Sequence, residues 1–178
     1  MTTERSDAYL VGLVRELCKL PKETEWVDFK VNEAEPHEIG EYLSALANSA
    51  ALMDKAFAHL IWGVEDGTHR IVGTQFSPSA AKVGNEELEN WLLHLLTPKI
   101  HFRFYEVLTD GLRLALLEIE RASHRPVQFQ GQEFIRVGSY KKKLKDHPER
   151  ERALWRTFDQ TSFEAGTALE RVESAESL

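Results

Sequence analysis

The segment ETEWVDFK, residues 23–30, alternates side chains in the way that a half-buried β-strand does. One face of the predicted strand is largely polar and the other is purely apolar: Trp26, Asp28 and Lys30 against Val27, Phe29 and Val31. The apolar face should point into a core. The opposite face carries a carboxylate and an ammonium group two residues apart. Glu23 stands just before the strand, and Asp66 would complete a cluster of three carboxylates near one lysine if the fold brings it alongside. Such a cluster needs a cation or a proton to neutralise it.

The composition is that of an ordinary globular domain. The chain has 178 residues, of which 42% are hydrophobic and 29% charged, which suits one domain with a substantial core. It has no apolar run of about 18 residues, so we expect no membrane span. The start, MTTERSDAYL, lacks the apolar centre of a secretory signal, so we expect a cytoplasmic protein. Cys18 is the only cysteine, which excludes an internal disulfide.

The pattern of apolar residues and turn signals predicts an α+β fold, with a mixed β-sheet flanked by helices. The predicted order of elements is α β α β β α β β β β α. The run AFAHLIWGV, residues 56–64, is almost entirely apolar and is typical of a central strand covered on both faces. The clearest helix repeats apolar residues from Leu88 to Leu96 and is closed by Pro98.

Four stretches, taken together and in this order, resemble the Schlafen-type AlbA-like domain, often described in bacteria as the DNA-binding domain of divergent AAA proteins. They are ETEWVDFK (23–30), EIGEYLSALANSAAL (38–52), IWGVEDGTHRIVGT (61–74) and EFIRVGSYKKKL (133–144). The resemblance implies binding of structured RNA or DNA. In some members two lobes form a clamp around tRNA-like substrates, so a chain with one lobe would need a homodimer to rebuild it.

The resemblance also implies a metal site. In the nuclease members three acidic residues hold the metal, two of them in an E-x4-E-F-K pattern that falls here on Glu23 and Asp28, and the third on Asp66. Asp28 stands where the pattern has glutamate, so this side chain is one methylene shorter. Carboxylates without histidine or cysteine favour a hard cation, Mg²⁺ or Mn²⁺. Lys30 would then contact the scissile phosphate or stabilise the transition state.

A second candidate site is the basic segment from Arg136 to Arg156, which has eight Lys/Arg against three Asp/Glu, a net charge of +5. The whole chain has a net charge of −7, so this segment is a local basic patch on an acidic protein. We predict that it contacts phosphates and that its tyrosine can stack on a base. The predicted nucleic-acid-binding residues are Arg136, Ser139, Tyr140, Lys141, Lys142, Lys143 and Lys145.

Three functions follow from these patterns. The first is a nucleic-acid-binding domain, and within it a divalent-metal endoribonuclease that uses Glu23, Asp28, Asp66 and Lys30. The second is a non-catalytic DNA-binding module of a transcriptional regulator, and the third is a protein-interaction domain whose basic loop meets an acidic partner. We predict a domain over residues 1–156, followed over residues 157–178 by an acidic linker or the start of another domain.

Overall fold

The computed structural model describes residues 4–161, which form an α+β fold as the sequence predicts. The helices are α1 (Asp7–Cys18), α2 (Pro36–Leu52), α3 (Leu88–Leu95), a 3₁₀ turn (Leu144–Asp146) and a last helix, α4, that starts at residue 148 and continues to 161. The strands are β1 (Val27–Lys30), β2 (Phe57–Trp62), β3 (Lys82–Val83), β4 (Glu86–Glu87), β5 (Leu96–Thr97), β6 (Phe102–Thr109), β7 (Leu112–Glu120), β8 (Gln128–Phe129), β9 (Gln132–Val137) and β10 (Tyr140–Lys143).

The strands divide between two four-stranded sheets rather than forming one. The first sheet has the order β1-β2-β7-β6 and is mixed, because β1 runs parallel to β2 while the other pairs are antiparallel. The second sheet has the order β10-β9-β8-β5 and is antiparallel throughout. A separate small hairpin consists of β3 and β4. On either side of the Asp66-Gly67 turn, Val64 and Ile71 form a single antiparallel bridge.

Helix α1 covers one face of the first sheet. It begins at Ser6, whose hydroxyl accepts a hydrogen bond from the backbone N–H of Tyr9 at 3.2 Å. Its buried residues Leu10, Val14 and Leu17 recur on one side of the helix, as the sequence predicts. They pack with the inward side chains of β1, β2, β6 and β7, so this core lies between α1 and the sheet.

Helix α2 joins the two sheets and packs over the other face. Its small residues allow the close approach that the sequence predicts, and Gly40 lies directly against the ring of Phe129. Two buried polar side chains of α2 bond to the second sheet. Ser44 accepts from the backbone N–H of Phe134 in β9 at 3.0 Å, and Asn48 donates to the carbonyl of the same residue at 2.9 Å. These bonds satisfy backbone groups that would otherwise be buried without a partner.

Strand β10 is one of the elements that the sequence pattern missed, together with the short strands β3, β4 and β5. Its sequence, YKKK, is typical of a solvated loop, but it pairs with β9 and forms the edge of the second sheet. The turn between them is Gly138-Ser139, with Gly138 at a φ of +59°, a conformation that glycine adopts at no steric cost. Lysines suit an edge strand because their charge discourages pairing with another strand.

The last helix crosses the predicted domain boundary. It continues past residue 156 to residue 161, and the remainder of the predicted acidic linker lies outside the described residues. The domain boundary therefore stays a prediction. Among residues 4–161, no helix combines the length and the apolar character needed to cross a bilayer.

Candidate functional site

Asp28 is buried, although the alternation of β1 predicts it on the solvated face. Its exposed fraction is 6%, because the second sheet covers this face of β1. Oδ1 lies 3.2 Å from Nη1 of Arg136, and Oδ2 lies 3.3 Å from Nζ of Lys30. Burial raises the pKa of Asp28, the charges of Lys30 and Arg136 oppose that rise, and the charge of Asp66 adds to it.

Arg136 lies in the interior, which corrects its predicted place on a nucleic-acid-binding surface. Its exposed fraction is 2%, and Nη1 donates to the carbonyl of Val27 at 2.9 Å as well as pairing with Asp28. A buried arginine is stable only when its charge is paired and its N–H groups find acceptors. Arg136 is thus part of the connection between β9 and β1 and cannot reach a phosphate.

Tyr42 of α2 lies between two ammonium groups. Nζ of Lys30 is 4.5 Å from the centre of its ring, and Nζ of Lys141 is 4.8 Å away. Lys30 also lies 3.4 Å from the Tyr42 hydroxyl. Burial lowers the pKa of Lys30, but Asp28 and Tyr42 outweigh this, so the pKa lies above its ordinary value. Both lysines therefore stay charged and make cation–π contacts with the Tyr42 ring.

Lys141 is less available to a ligand than the sequence of the basic segment predicts. It forms ion pairs with Glu38, at 2.9 Å, and with Glu41, both on α2, and its side chain is 14% exposed. Burial disfavours the charged form, but these two carboxylates raise the pKa of Lys141 overall. The lysine therefore fastens β10 to α2 and offers little free charge to a ligand.

The three predicted metal ligands do not fit a metal ion in this arrangement. Glu23 and Asp66 are exposed, and Asp28 is already neutralised by two cations. Over residues 4–161, no group of three or more His, Cys, Asp or Glu side chains converges in a way that could hold a metal ion. A divalent cation at Asp28 would also meet the positive charges of Lys30 and Arg136, which would repel it.

The remaining residues of the predicted interface form an exposed group, which we call the basic surface: Ser139, Tyr140, Lys142, Lys143 and Lys145. Tyr140 is 68% exposed, and Nζ of Lys142 lies 5.5 Å from the centre of its ring. Lys143 and Lys145 border a cleft of about 320 Å³ beside the β8–β9 turn. Within the described part of the chain, none of the three lysines forms an ion pair with a carboxylate.

Sequence reasoning missed Glu25, which lies two residues before β1. Its carboxylate accepts hydrogen bonds from the backbone N–H of Gly138, at 2.7 Å, and from Arg150, at 3.1 Å. No pattern in the sequence singles it out, because Glu25 lies in the turn before β1, where the alternation of a strand does not apply. The E-x4-D-F-K pattern points to Glu23 instead, and Glu23 is exposed.

Fold and site together define a small two-sheet α+β domain, in which a buried acid–base network supports an exposed basic hairpin. The chain belongs to the family described as Schlafen, AlbA_2, which matches residues 23–145. The match begins at Glu23 and ends at Lys145, so it includes both candidate sites. The resemblance noted in the sequence is thereby confirmed.

Two solved structures are similar to this chain. The DIP2311 protein from Corynebacterium diphtheriae is 22% identical with a TM-score of 0.46, over 75% of this chain and 26% of that protein. This chain thus spans about a quarter of its length. The N-terminal domain of a protein described as related to the ATP-dependent DNA helicase RecG, from Nitrosomonas europaea, is 18% identical with a TM-score of 0.48. That likeness covers 78% of this chain and 89% of that domain. No curated protein matches the chain.

Proposed function

We propose that this domain binds nucleic acid through the basic surface. One observation carries the proposal: some cations of the basic segment are paired within the domain, while others are exposed and unpaired among the described residues. Arg136, Lys141 and Arg150 are paired with carboxylates inside the domain. The lysines of the basic surface point to solvent in an acidic protein, and no carboxylate pairs with them within residues 4–161. Unpaired cations grouped on one edge strand are the residues that phosphate contacts require.

The composition of the basic surface favours a ligand that offers both phosphates and bases. The lysines supply charge without sequence preference, because every nucleotide carries a phosphate. Tyr140 supplies an exposed ring next to Lys142, and an unpaired base can stack on such a ring. This pairing supports structured RNA with unpaired loops as the preferred ligand. A homodimer would present two such surfaces and so form the two-lobed clamp that the family resemblance implies.

The experiment is a titration of labelled tRNA and of labelled duplex DNA, followed by fluorescence anisotropy at several salt concentrations. The test variant replaces Lys142, Lys143 and Lys145 with alanine. We expect it to bind more weakly, with a slope of log affinity against log salt that is shallower by about 0.7 to 0.9 for each phosphate that a lysine no longer neutralises. The control replaces three exposed lysines outside the basic surface, Lys19, Lys22 and Lys82, and should leave the slope unchanged.

Three other results would each change the conclusion. Absence of binding at low salt would exclude the proposal and favour the third predicted function, a module that meets an acidic protein partner. Equal losses in the test and control variants would show that only net charge matters. Binding of one duplex sequence in preference to tRNA would favour the DNA-binding module of a regulator.

An endoribonuclease dependent on Mg²⁺ or Mn²⁺ is the second candidate function. The sequence pattern is its main support, and the charge of Asp66 adds, after burial, to the raised pKa of Asp28. The ion pairs of Asp28 argue against it. We therefore rank binding above cleavage. Incubation of total tRNA with the protein and Mn²⁺, beside an EDTA control and Asp66→Ala, tests this function.

A further inference from the structure

Glu25 is a partly buried carboxylate that lies outside the group of residues called the basic surface. Its side chain is 12% exposed, and its two oxygens contact different elements. Oε2 accepts from the backbone N–H of Gly138, in the β9–β10 turn, at 2.7 Å. Oε1 accepts from Nη1 of Arg150, in the first part of α4, at 3.1 Å. Hydrogen bonds to a charged acceptor are stronger than neutral ones, so both contacts restrain the chain.

These two contacts join the β9–β10 turn to helix α4. The β9–β10 turn leads directly into Tyr140 and Lys142, while α4 carries the exposed Arg152 and Arg156. Nη1 of Arg150 also donates to the carbonyl of Arg136 at 3.2 Å, so the same guanidinium contacts both β9 and the carboxylate of Glu25. The hairpin and the helix are therefore held against one acidic side chain, which comes from a distant part of the sequence.

We propose that Glu25 is a positioning residue for nucleic-acid binding. It fixes the β9–β10 hairpin relative to α4, so that the lysines of the basic surface are held in one arrangement for phosphate contacts. This inference rests on the proposed function. Glu25 itself does not contact the ligand, because its negative charge is enclosed and is satisfied by Gly138 and Arg150.

The substitution Glu25→Gln tests this role with little change in shape. Both partners of Glu25 are donors, and a carboxylate accepts from both. A glutamine has one accepting oxygen and one donating NH₂ group, so one of the two contacts becomes donor against donor. The hairpin and the helix can then no longer both be held. The matched control is Glu89→Gln, which removes the same charge at an exposed position on α3, outside both candidate sites.

Two measurements test the effect of the substitution, and both are made at a temperature well below the melting temperature. The first is the NMR shift of the Gly138 amide, which we expect to move upfield in Glu25→Gln as its hydrogen bond weakens and to stay in place in Glu89→Gln. The second is the affinity for labelled tRNA at low salt, which we expect to fall about tenfold in Glu25→Gln only. In a variant in which Lys142, Lys143 and Lys145 are already alanine, Glu25→Gln should reduce the affinity by a much smaller factor. The reason is that both changes act on one surface.

The outcomes separate this inference from the proposed function. If the wild type binds and Glu25→Gln binds equally well, the positioning role is excluded and the proposed function stands. An equal additional loss in the triple-alanine background would also exclude it, because a general loss of stability would act independently of the lysines. A wild type without affinity overturns the proposed function and this inference together. Should Glu25→Gln fail to fold, Arg150→Met removes the contacts of α4 with Glu25 and with the carbonyl of Arg136, leaves the bond from Gly138 to Glu25 in place, and should give the same loss of affinity.

Discussion

Asp28 on β1 and Arg136 on β9 form an ion pair in the interior of the domain, with 3.2 Å between Oδ1 and Nη1. The pair connects the first sheet to the second, and each side chain is at most 7% exposed. A buried ion pair gains little over a well-packed apolar pair, but the loss of one partner is costly, since the other charge stays buried. The stability of the connection between the sheets therefore depends on both residues being present.

Arg136→Met should destabilise the protein less than Asp28→Ala does. We expect Asp28→Ala to lower the free energy of unfolding by about 3 kcal/mol, because Arg136 is left buried without a counter-charge. With Arg136→Met, Asp28 still has Lys30 as a partner, so the loss should be smaller. Urea denaturation measures the free energy of unfolding of both variants. The double variant should lose less of this free energy than the two single variants lose in sum. Additive losses would show that the pair is not coupled.

Gly40→Ala should destabilise the protein, although alanine favours a helix. A Cβ atom at Gly40 would overlap the ring of Phe129, which packs against α2 in the core. Overpacking of this kind costs about 1–3 kcal/mol, more than the roughly 1 kcal/mol gained from helix propensity. Gly12→Ala in α1 is the matched control, because nothing lies within 4 Å of its Cβ position, and it should stabilise the protein. Thermal unfolding of both variants decides the matter, and equal melting temperatures would contradict the prediction.

Glu118 should make a contribution to stability that is lost in acid. The hydrogen bond from His59 lowers the pKa of Glu118, burial opposes this, and the charge of Arg5 adds to the lowering. Its stabilisation is thus fully present above the unfolded pKa of about 4.3 and disappears as the pH falls through the lower folded pKa. Glu118→Gln should cost about 1 kcal/mol at pH 7 and less in acid. Denaturation at a series of pH values checks this, and a cost independent of pH would refute it. The control, Glu23→Gln, should show no such pH-dependent loss.

Tyr140→Ala should weaken binding to single-stranded oligonucleotides, because the exposed ring can stack on a base. One stacked base contributes about 1–3 kcal/mol, so we expect roughly a tenfold loss of affinity. The slope of affinity against salt should not change, since no charge is removed. Tyr140→Phe keeps the ring and should retain the affinity. If both variants bind like the wild type, Tyr140 does not contact the bases.

Incubation with Mn²⁺ should leave total tRNA intact. The ion pairs of Asp28 occupy the carboxylate that a metal centre would need, and Asp66 is exposed. We expect no cleavage products on a denaturing gel, and Asp66→Ala should bind tRNA like the wild type. Cleavage that stops with EDTA and with Asp66→Ala would contradict this ranking and establish the endoribonuclease.

The longer elements could be predicted from the sequence because their signals are local. The apolar repeats of α1, α2 and α3 and the apolar run of β2 each specify one element through its own residues. The hairpin of β6 and β7 is set by the turn Asp110-Gly111, in which both residues have positive φ. By contrast, β10 forms only because β9 lies beside it. Its lysines by themselves are typical of a loop.

The sequence by itself determined the α+β class, the family and the basic character of residues 136–156. The tertiary structure alone decided which charges are free. Burial of Asp28 depends on a second sheet that covers β1, and the pairing of Arg136, Lys141 and Arg150 depends on carboxylates far away in the chain. Charges at close range interact according to distance in space and the surrounding dielectric, and neither can be read from spacing along the chain.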